Sequence, residues 1–181
     1  MTNDKKNLTG IDKSKGCLIG LAVGDVLGAP FEFFSSYQIK RELKENPDWV
    51  IEKNSKIGKK LPAGFYTDDT SQMICLAESL IENDFNLADQ FKRYQKWFFN
   101  GYATPFGDKS YGTGQQMLRA IMSNEFTVER MNIHSAGGNG SLMRCAPIGI
   151  FYAGDYENIK EKSILSSRVT HNNDIAEWCC V

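Results

Sequence analysis

The chain has 181 residues, 41% of them hydrophobic and 24% charged, and its 21 Lys and Arg nearly cancel 22 Asp and Glu to leave a net charge of −1. That length suits one domain with a sizeable core, and the composition is that of an ordinary soluble globular protein. A near-neutral balance argues against a dedicated nucleic-acid or anionic-membrane binder, which would present a basic face.

Residues 1–14 read as a flexible, polar lead-in, and residues 15–181 as a single domain. The lead-in has no apolar core of the kind a signal peptide needs. The most apolar early run, CLIGLAVG, falls well short of the ~20 residues that span a bilayer. A soluble, cytoplasmic protein is therefore expected. Five cysteines (Cys17, Cys75, Cys145, Cys179, Cys180) lack CxxC spacing. Of these, Cys17, Cys75 and Cys145 sit among apolar neighbours and read as buried free thiols, in keeping with a reducing compartment. With only His134 and His171 to draw on, a Cys/His zinc site has poor support. Any metal would be held by oxygen, which points to Mg²⁺, Mn²⁺ or Ca²⁺.

The first helical segment is GCLIGLAVGDVLG, with Gly16, Gly20, Gly24 and Gly28 four residues apart on one slowly drifting stripe. Each glycine costs a helix about 1 kcal/mol relative to alanine. The stripe therefore implies close approach of another helix or of a ligand. GAPFEFF ends this helix and sets Glu32 between two phenylalanines, where desolvation would push its pKa upward. Residues 36–62 are charged and irregular and read as a surface excursion with a short helix at 37–45.

FYTDDTSQM follows, with four consecutive oxygen-bearing side chains, Thr67, Asp68, Asp69 and Thr70, at the start of a helix predicted over 70–82. One N-cap needs a single side-chain oxygen. The excess leaves two readings, capping with a spare surface acid, or a hard divalent cation between the carboxylates. Met73, Leu76, Ala77, Leu80 and Ile81 give that helix one apolar face. A second amphipathic helix spans 87–98, buried through Leu87, Phe91, Tyr94 and Phe98. YGTGQQMLRAIM reads as a loop leading into a third. In SAGGNGSLMRCAPIG the glycines permit close approach to a ligand, and a helix-like SLMRCA would point its N-terminus at the loop. A phosphate cradle and a bland turn both fit, since neither the GxxxxGK[ST] nor the GxGxxG pattern is present. Helical segments follow at 157–168 and from about Asn173, with His171 at the latter's start as either a structural or a ligand-facing residue.

Together GCLIGLAVGDVLGAPFEF, YTDDTSQM, GNGSLMRCAPIG and SSRVTHNNDIAEW occur in an order that resembles the ADP-ribosylglycohydrolase family. The resemblance implies an all-α, orthogonal helical bundle with a di-magnesium centre (Mn²⁺ being the substitute ion). It implies Thr67, Asp68 and Asp69 as metal ligands, with Glu32, Asp68 and Asp69 in catalysis. Ser110, Tyr111 and Gly112 would lie by a ribose-phosphate loop, Gly138, Asn139, Gly140, Ser141 and Met143 near the diphosphate, and His171 in the ligand cleft. Gly24-Asp25 would support the site. The implied activity is Mg²⁺-dependent hydrolysis of the glycosidic bond between ADP-ribose and a modified protein side chain or small acceptor, without nucleic-acid or membrane partners. The family's late Gly-x-Asp-x-Asp-Thr motif is absent from these residues. A bundle cut short at its C-terminus, with the second half of the metal site missing, is therefore expected. The alternatives are an inactive ADP-ribose or metal-binding fragment and a purely structural relative.

Overall fold

Thr9 begins the fold. Its hydroxyl accepts from the Asp12 amide at 3.1 Å while Asp12 Oδ2 accepts from the Thr9 amide at 3.1 Å, a reciprocal cap that satisfies two orphan donors. Helix α1 consequently runs Gly10–Gly28, and the expected lead-in over 1–14 is already helical from Gly10. In this computed structural model the described residues are 9–47, 53–54, 60–105, 107–123, 126–131, 133–135 and 137–181. Most of the lead-in, and 48–52 and 55–59 of the surface excursion, lie outside them.

After α1 a 3₁₀ turn, Ala29–Phe31, redirects the chain. Helix α2, Ser36–Glu45, is capped by Ser35 and Gln38 as α1 is by Thr9 and Asp12. A two-rung antiparallel ladder pairs β1 (Lys53–Asn54) with β2 (Lys60–Leu61), Lys53 opposite Leu61. The remaining regular elements among the described residues are helices: α3 Asp68–Asn83, α4 Leu87–Asn100, α5 Gln115–Ile121, α6 Val128–Met131, α7 Ala146–Phe151, α8 Tyr156–Arg168 and α9 Asp174–Cys179. The chain folds as an all-α bundle, as the resemblance implied.

Helix α3 is the hub, packed along α4 and against α7 and α1. One apolar cluster joins Leu76 and Leu80 to Ile148 of α7. The larger joins Phe91, Tyr94 and Trp97 of α4 to Cys75, Met117, Ile121 and Val169. Burying each such large side chain stabilises the fold by about 1.5–3 kcal/mol. Ile81, assigned to the same face, is instead exposed. Eight residues beyond Met73 it has rotated about 80° round the helix, which carries it off the core stripe. Gly101 ends α4 with φ +66°, and a β-carbon there would collide with the Asp108–Lys109 backbone.

Two other expectations change. SLMRCA is not a helix: Ser141–Arg144 runs as turns, and α7 starts at Ala146 with Pro147 in its first turn, where proline's fixed φ and missing N–H are tolerated. The segment that follows the glycine loop therefore does not aim a helix N-terminus at it; the N-cap of α9, Asn173, lies beside Gly137 instead. Cys17 is exposed rather than buried, while Cys75 is buried and Cys145 half-buried. Gly10–Phe31, α1 with its 3₁₀ turn, is by length and composition long and apolar enough to cross a membrane.

Candidate active site

The start of α3 is capped from elsewhere in the chain. Thr67 at the N-cap gives no side-chain cap of its own. Asp25 of α1 does the work: Oδ2 accepts from the Thr67 amide at 2.9 Å, the Thr70 amide at 3.1 Å and Thr70 Oγ1 at 2.7 Å. Its Oδ1 accepts from Thr67 Oγ1 at 2.6 Å. Two of the orphan amides at this helix start, those of Thr67 and Thr70, are thus satisfied by a carboxylate from another helix. Asp68 and Asp69, inside the helix's first turn, are released from capping.

Those two acids face a cleft of about 490 Å³. Gly20, Gly24 and Gly28 of α1 form part of its wall, and Glu32, Asn139 and Met143 complete the polar and apolar lining. A β-carbon on any glycine of the α1 stripe would meet nothing within 4 Å. Among the described residues nothing is pressed against these positions, and Gly20, Gly24 and Gly28 open on the cleft. Asp68 is 8% exposed. Burial, then the Asp69 charge, pushes its pKa well above the usual carboxylate range, with Glu32 and Asp25 adding to the rise. Asp69 is pushed up to about 6 by burial, then by Asp25 and Glu32. Among the described residues no cationic side chain pairs with either acid. Glu32 is exposed rather than sealed between its phenylalanines; Phe33 turns outward with φ +65° and is 82% exposed.

Among the described residues no three His, Cys, Asp or Glu side chains converge as a metal-binding group. The donor set is smaller, two carboxylates and the Thr67 hydroxyl, whose proton is committed to Asp25 while its lone pairs stay available. Mg²⁺ typically takes one or two carboxylates and keeps several waters, so the residues present fit such an ion. The mutual repulsion of the acids is what a divalent charge would relieve.

Gly112 has φ +87°, and a β-carbon there would strike the Asp68 carboxylate. The 110–114 loop thus presses bare backbone against this acid. Ser110 Oγ donates to Phe98 O at 3.2 Å, tying the loop to the end of α4, and neither Ser110 nor Tyr111 lines the cleft. Gly112→Ala combines a strained φ with displacement of Asp68. We expect at least about tenfold weaker Mg²⁺ binding with helicity retained, measured by cation titration beside circular dichroism.

The glycine loop lies over His171. A β-carbon on Gly140 would sit 2.7 Å from His171 Cε1, and one on Gly138 would sit 3.7 Å from the ring. Asn139 and Met143 of this segment reach the cleft, whereas Ser141 is buried and accepts from Ser167 Oγ at 2.8 Å. His171 is 2% exposed beneath the loop and does not line the cleft. Burial, then the nearby Arg144, lowers its pKa to about 3, so the ring is neutral. Thr170 Oγ1 lies 2.7 Å from its Nδ1 and accepts from Arg144 Nη2 at 2.7 Å. A guanidinium only donates. Thr170 Oγ1 keeps its proton and a second lone pair, and either can meet Nδ1 according to the ring's tautomer.

Arg144 is a component that sequence reasoning passed over. It is 1% exposed, donates to Gln72 Oε1 at 2.9 Å, and lies 4.1 Å from the Tyr94 ring centroid. Gln72 is one turn beyond Asp68, so this buried cation joins α3 to the Thr170–His171 pair. An arginine in a turn carries no local signal of burial, because every partner is distant in sequence.

Residues 6–181 match the family model described as ADP-ribosylglycohydrolase. The chain is 34% identical over 166 residues to an uncharacterized protein of Archaeoglobus fulgidus, covering 91% of this chain and 51% of that protein. It is 31% identical over 180 residues to ADP-ribosylarginine hydrolase Tri1 of Pseudomonas putida, covering 94% and 44%. A solved structure titled ADP-ribosylglycohydrolase-related protein complex superposes with a TM-score of 0.61 at 28% identity, covering 94% of this chain and 53% of that one. The chain spans about half the length of the curated relatives it matches.

Proposed function

The chain belongs to the ADP-ribosylglycohydrolase family, and from that premise we propose that the intact protein hydrolyses the glycosidic bond joining ADP-ribose to a modified side chain or small acceptor, with Mg²⁺ as cofactor. The carrying observation is the acid pair Asp68 and Asp69, held with no cationic partner among the described residues at a helix start that Asp25 caps, facing a wall of α1 backbone. The name of the Pseudomonas putida relative supports an ADP-ribosylated side chain as the substrate class.

Thr67, Asp68 and Asp69 would hold Mg²⁺, or Mn²⁺ in its place, which when bound supplies Lewis acidity and a positive anchor for ribose hydroxyls. Asp25 fixes where the two carboxylates point by fixing the first turn of α3. The glycine wall admits a ribose and diphosphate flat against backbone, which side chains would exclude. Asn139 offers an amide for hydroxyl or phosphate oxygens, and Met143 an apolar surface. Cleavage at the ribose carbon develops oxocarbenium character, and one positioned carboxylate suffices to move the proton of the attacking water. Glu32, on the rim beside both aspartates, is assigned that proton or the placement of the ribose.

Calorimetric titration of the protein with ADP-ribose, with Mg²⁺ and again with chelator, tests the reading. Binding heat that depends on the cation is expected. Absence of heat and of thermal protection under both conditions would overturn it.

A further inference from the structure

Arg144 is a nearly sealed cation, and among the described residues no carboxylate pairs with it. Its Nη1 donates to Gln72 Oε1 at 2.9 Å and lies 3.6 Å from Met117 Sδ. Its Nη2 donates to Thr170 Oγ1 at 2.7 Å, and the Tyr94 ring covers the guanidinium face. All four partners are neutral. A buried charge without an opposite charge is costly, and an apolar side chain of similar volume would serve a core at least as well. Stability alone does not account for an arginine here.

What the guanidinium supplies is a planar fork between two fixed posts. Gln72 lies inside α3, one turn beyond Asp68. Thr170 is tied by its carbonyl, which accepts from Gln116 Nε2 at 2.9 Å. Arg144 itself ends the turn that shares the cleft with the acids: the Met143 amide donates to Asn139 O at 2.9 Å, and both residues line the cleft. Ser141, in the middle of that turn, is held separately by Ser167. Thr170 Oγ1 also meets Nδ1 of His171, the ring over which Gly140 lies. One side chain thus reaches the acid-bearing helix and the foundation of the glycine loop.

We propose that Arg144 is a positioning residue of the cleft: by spanning Gln72 and Thr170 it sets the gap between Asp68–Asp69 and the Asn139–Met143 turn, and with it the fit of an ADP-ribosyl ligand. Arg144 does not line the cleft, so its effect on binding passes through the turn. The choice of ligand rests on the function proposed above; the anchoring of the turn does not. Asp25, not Arg144, holds the first turn of α3. Mg²⁺ and ADP-ribose should therefore respond differently to a change at Arg144.

The test compares Arg144→Lys, Arg144→Met, Thr170→Val and Thr170→Ser with wild type. Lysine keeps the charge as a single point and loses the fork; methionine loses both. In the two arginine variants, ADP-ribose titrated calorimetrically at saturating Mg²⁺ should bind at least about tenfold more weakly, while Mg²⁺ alone binds within about twofold of wild type. Thr170→Val should resemble them, and Thr170→Ser, which keeps the acceptor, should restore wild-type affinity. The threonine pair decides the matter if an arginine variant misfolds. A merely structural role would weaken both ligands together, so equal losses would overturn the proposal, as would wild-type ADP-ribose affinity in Arg144→Lys. Amide exchange followed by NMR without ligand gives a second readout. The Met143 amide should exchange at least about tenfold faster in Arg144→Lys and Thr170→Val, with the Leu76 and Leu80 amides of α3 unchanged. If wild type binds no ADP-ribose, the functional reading fails and exchange alone decides the anchoring: an unchanged Met143 amide overturns it.

Discussion

Asp68→Asn combined with Asp69→Asn is expected to lower ADP-ribosyl hydrolysis by the intact protein at least about 10³-fold, because it removes the charge that would hold the cation. The same change should raise the stability of the metal-free protein. Asp68 and Asp69 repel each other, and both feel Asp25 and Glu32. An amide in place of each carboxylate removes that repulsion, an effect on the order of 1–2 kcal/mol after discounting Asp69 for its partial exposure. Thermal melts with chelator and with Mg²⁺ separate the two effects. Wild type should gain stability from Mg²⁺; the double variant should start higher and gain nothing. Loss of activity together with a lower metal-free melting temperature would mean misfolding, not loss of a cation site. Unchanged turnover would remove these residues from the chemistry.

Asp25→Ala should be the most damaging single change at the cleft outside the proposed metal ligands themselves. Four hydrogen bonds end on this carboxylate, two from backbone amides and two from hydroxyls. Losing a helix cap costs about 1 kcal/mol, and bonds to a charged acceptor are worth about 1.5–3 kcal/mol each without adding fully, so a loss of about 2–4 kcal/mol is expected. That corresponds to a fall in melting temperature of roughly 5–15 °C for a domain of this size. Asp25→Asn keeps acceptor capacity at one oxygen and should lose about half as much. Equal stability for wild type and the alanine variant would show that the start of α3 does not depend on α1. A denaturation series on the three proteins measures this.

The parts of the structure visible in the sequence are those built from neighbours along the chain. Helices α3 and α4 follow from the spacing of Leu76 and Leu80 and of Phe91 and Tyr94, and their buried faces follow with them. Helix α1 starts six residues before its expected glycine-rich segment because the Thr9–Asp12 cap outweighs the polar composition of DKSK. The signal for it, a threonine with an acid three residues later, was present. SLMRCA has helix-forming residues, but its Ser141 and Arg144 are held by Ser167, Gln72 and Thr170, and the turns continue until α7 begins at Ala146 with Pro147 in its first turn.

The candidate site divides in the same way. Thr67, Asp68, Asp69, Glu32, Asn139 and Met143 share the cleft. Gly112 and Gly140 are explained by close approach to Asp68 and His171, a reason spacing alone could not supply, whereas a β-carbon on Gly138 would make only ordinary contact with the ring. Ser110 and Ser141 spend their hydroxyls on the protein itself. Burial of Arg144, and capping of α3 by Asp25, depend on contacts between segments from 26 to 72 positions apart. No local pattern encodes them.

Because the amides of Thr67 and Thr70 donate to a carboxylate on another helix, the acidic corner cannot be excised as a peptide. A fragment carrying only the third helix would present its two aspartates on a frayed, solvated end. The proposed cation affinity and docking of the first helix would consequently be one equilibrium seen from two sides. Deuterium uptake at those two backbone positions offers a clock for how often the docked helix swings away, and added magnesium should slow it.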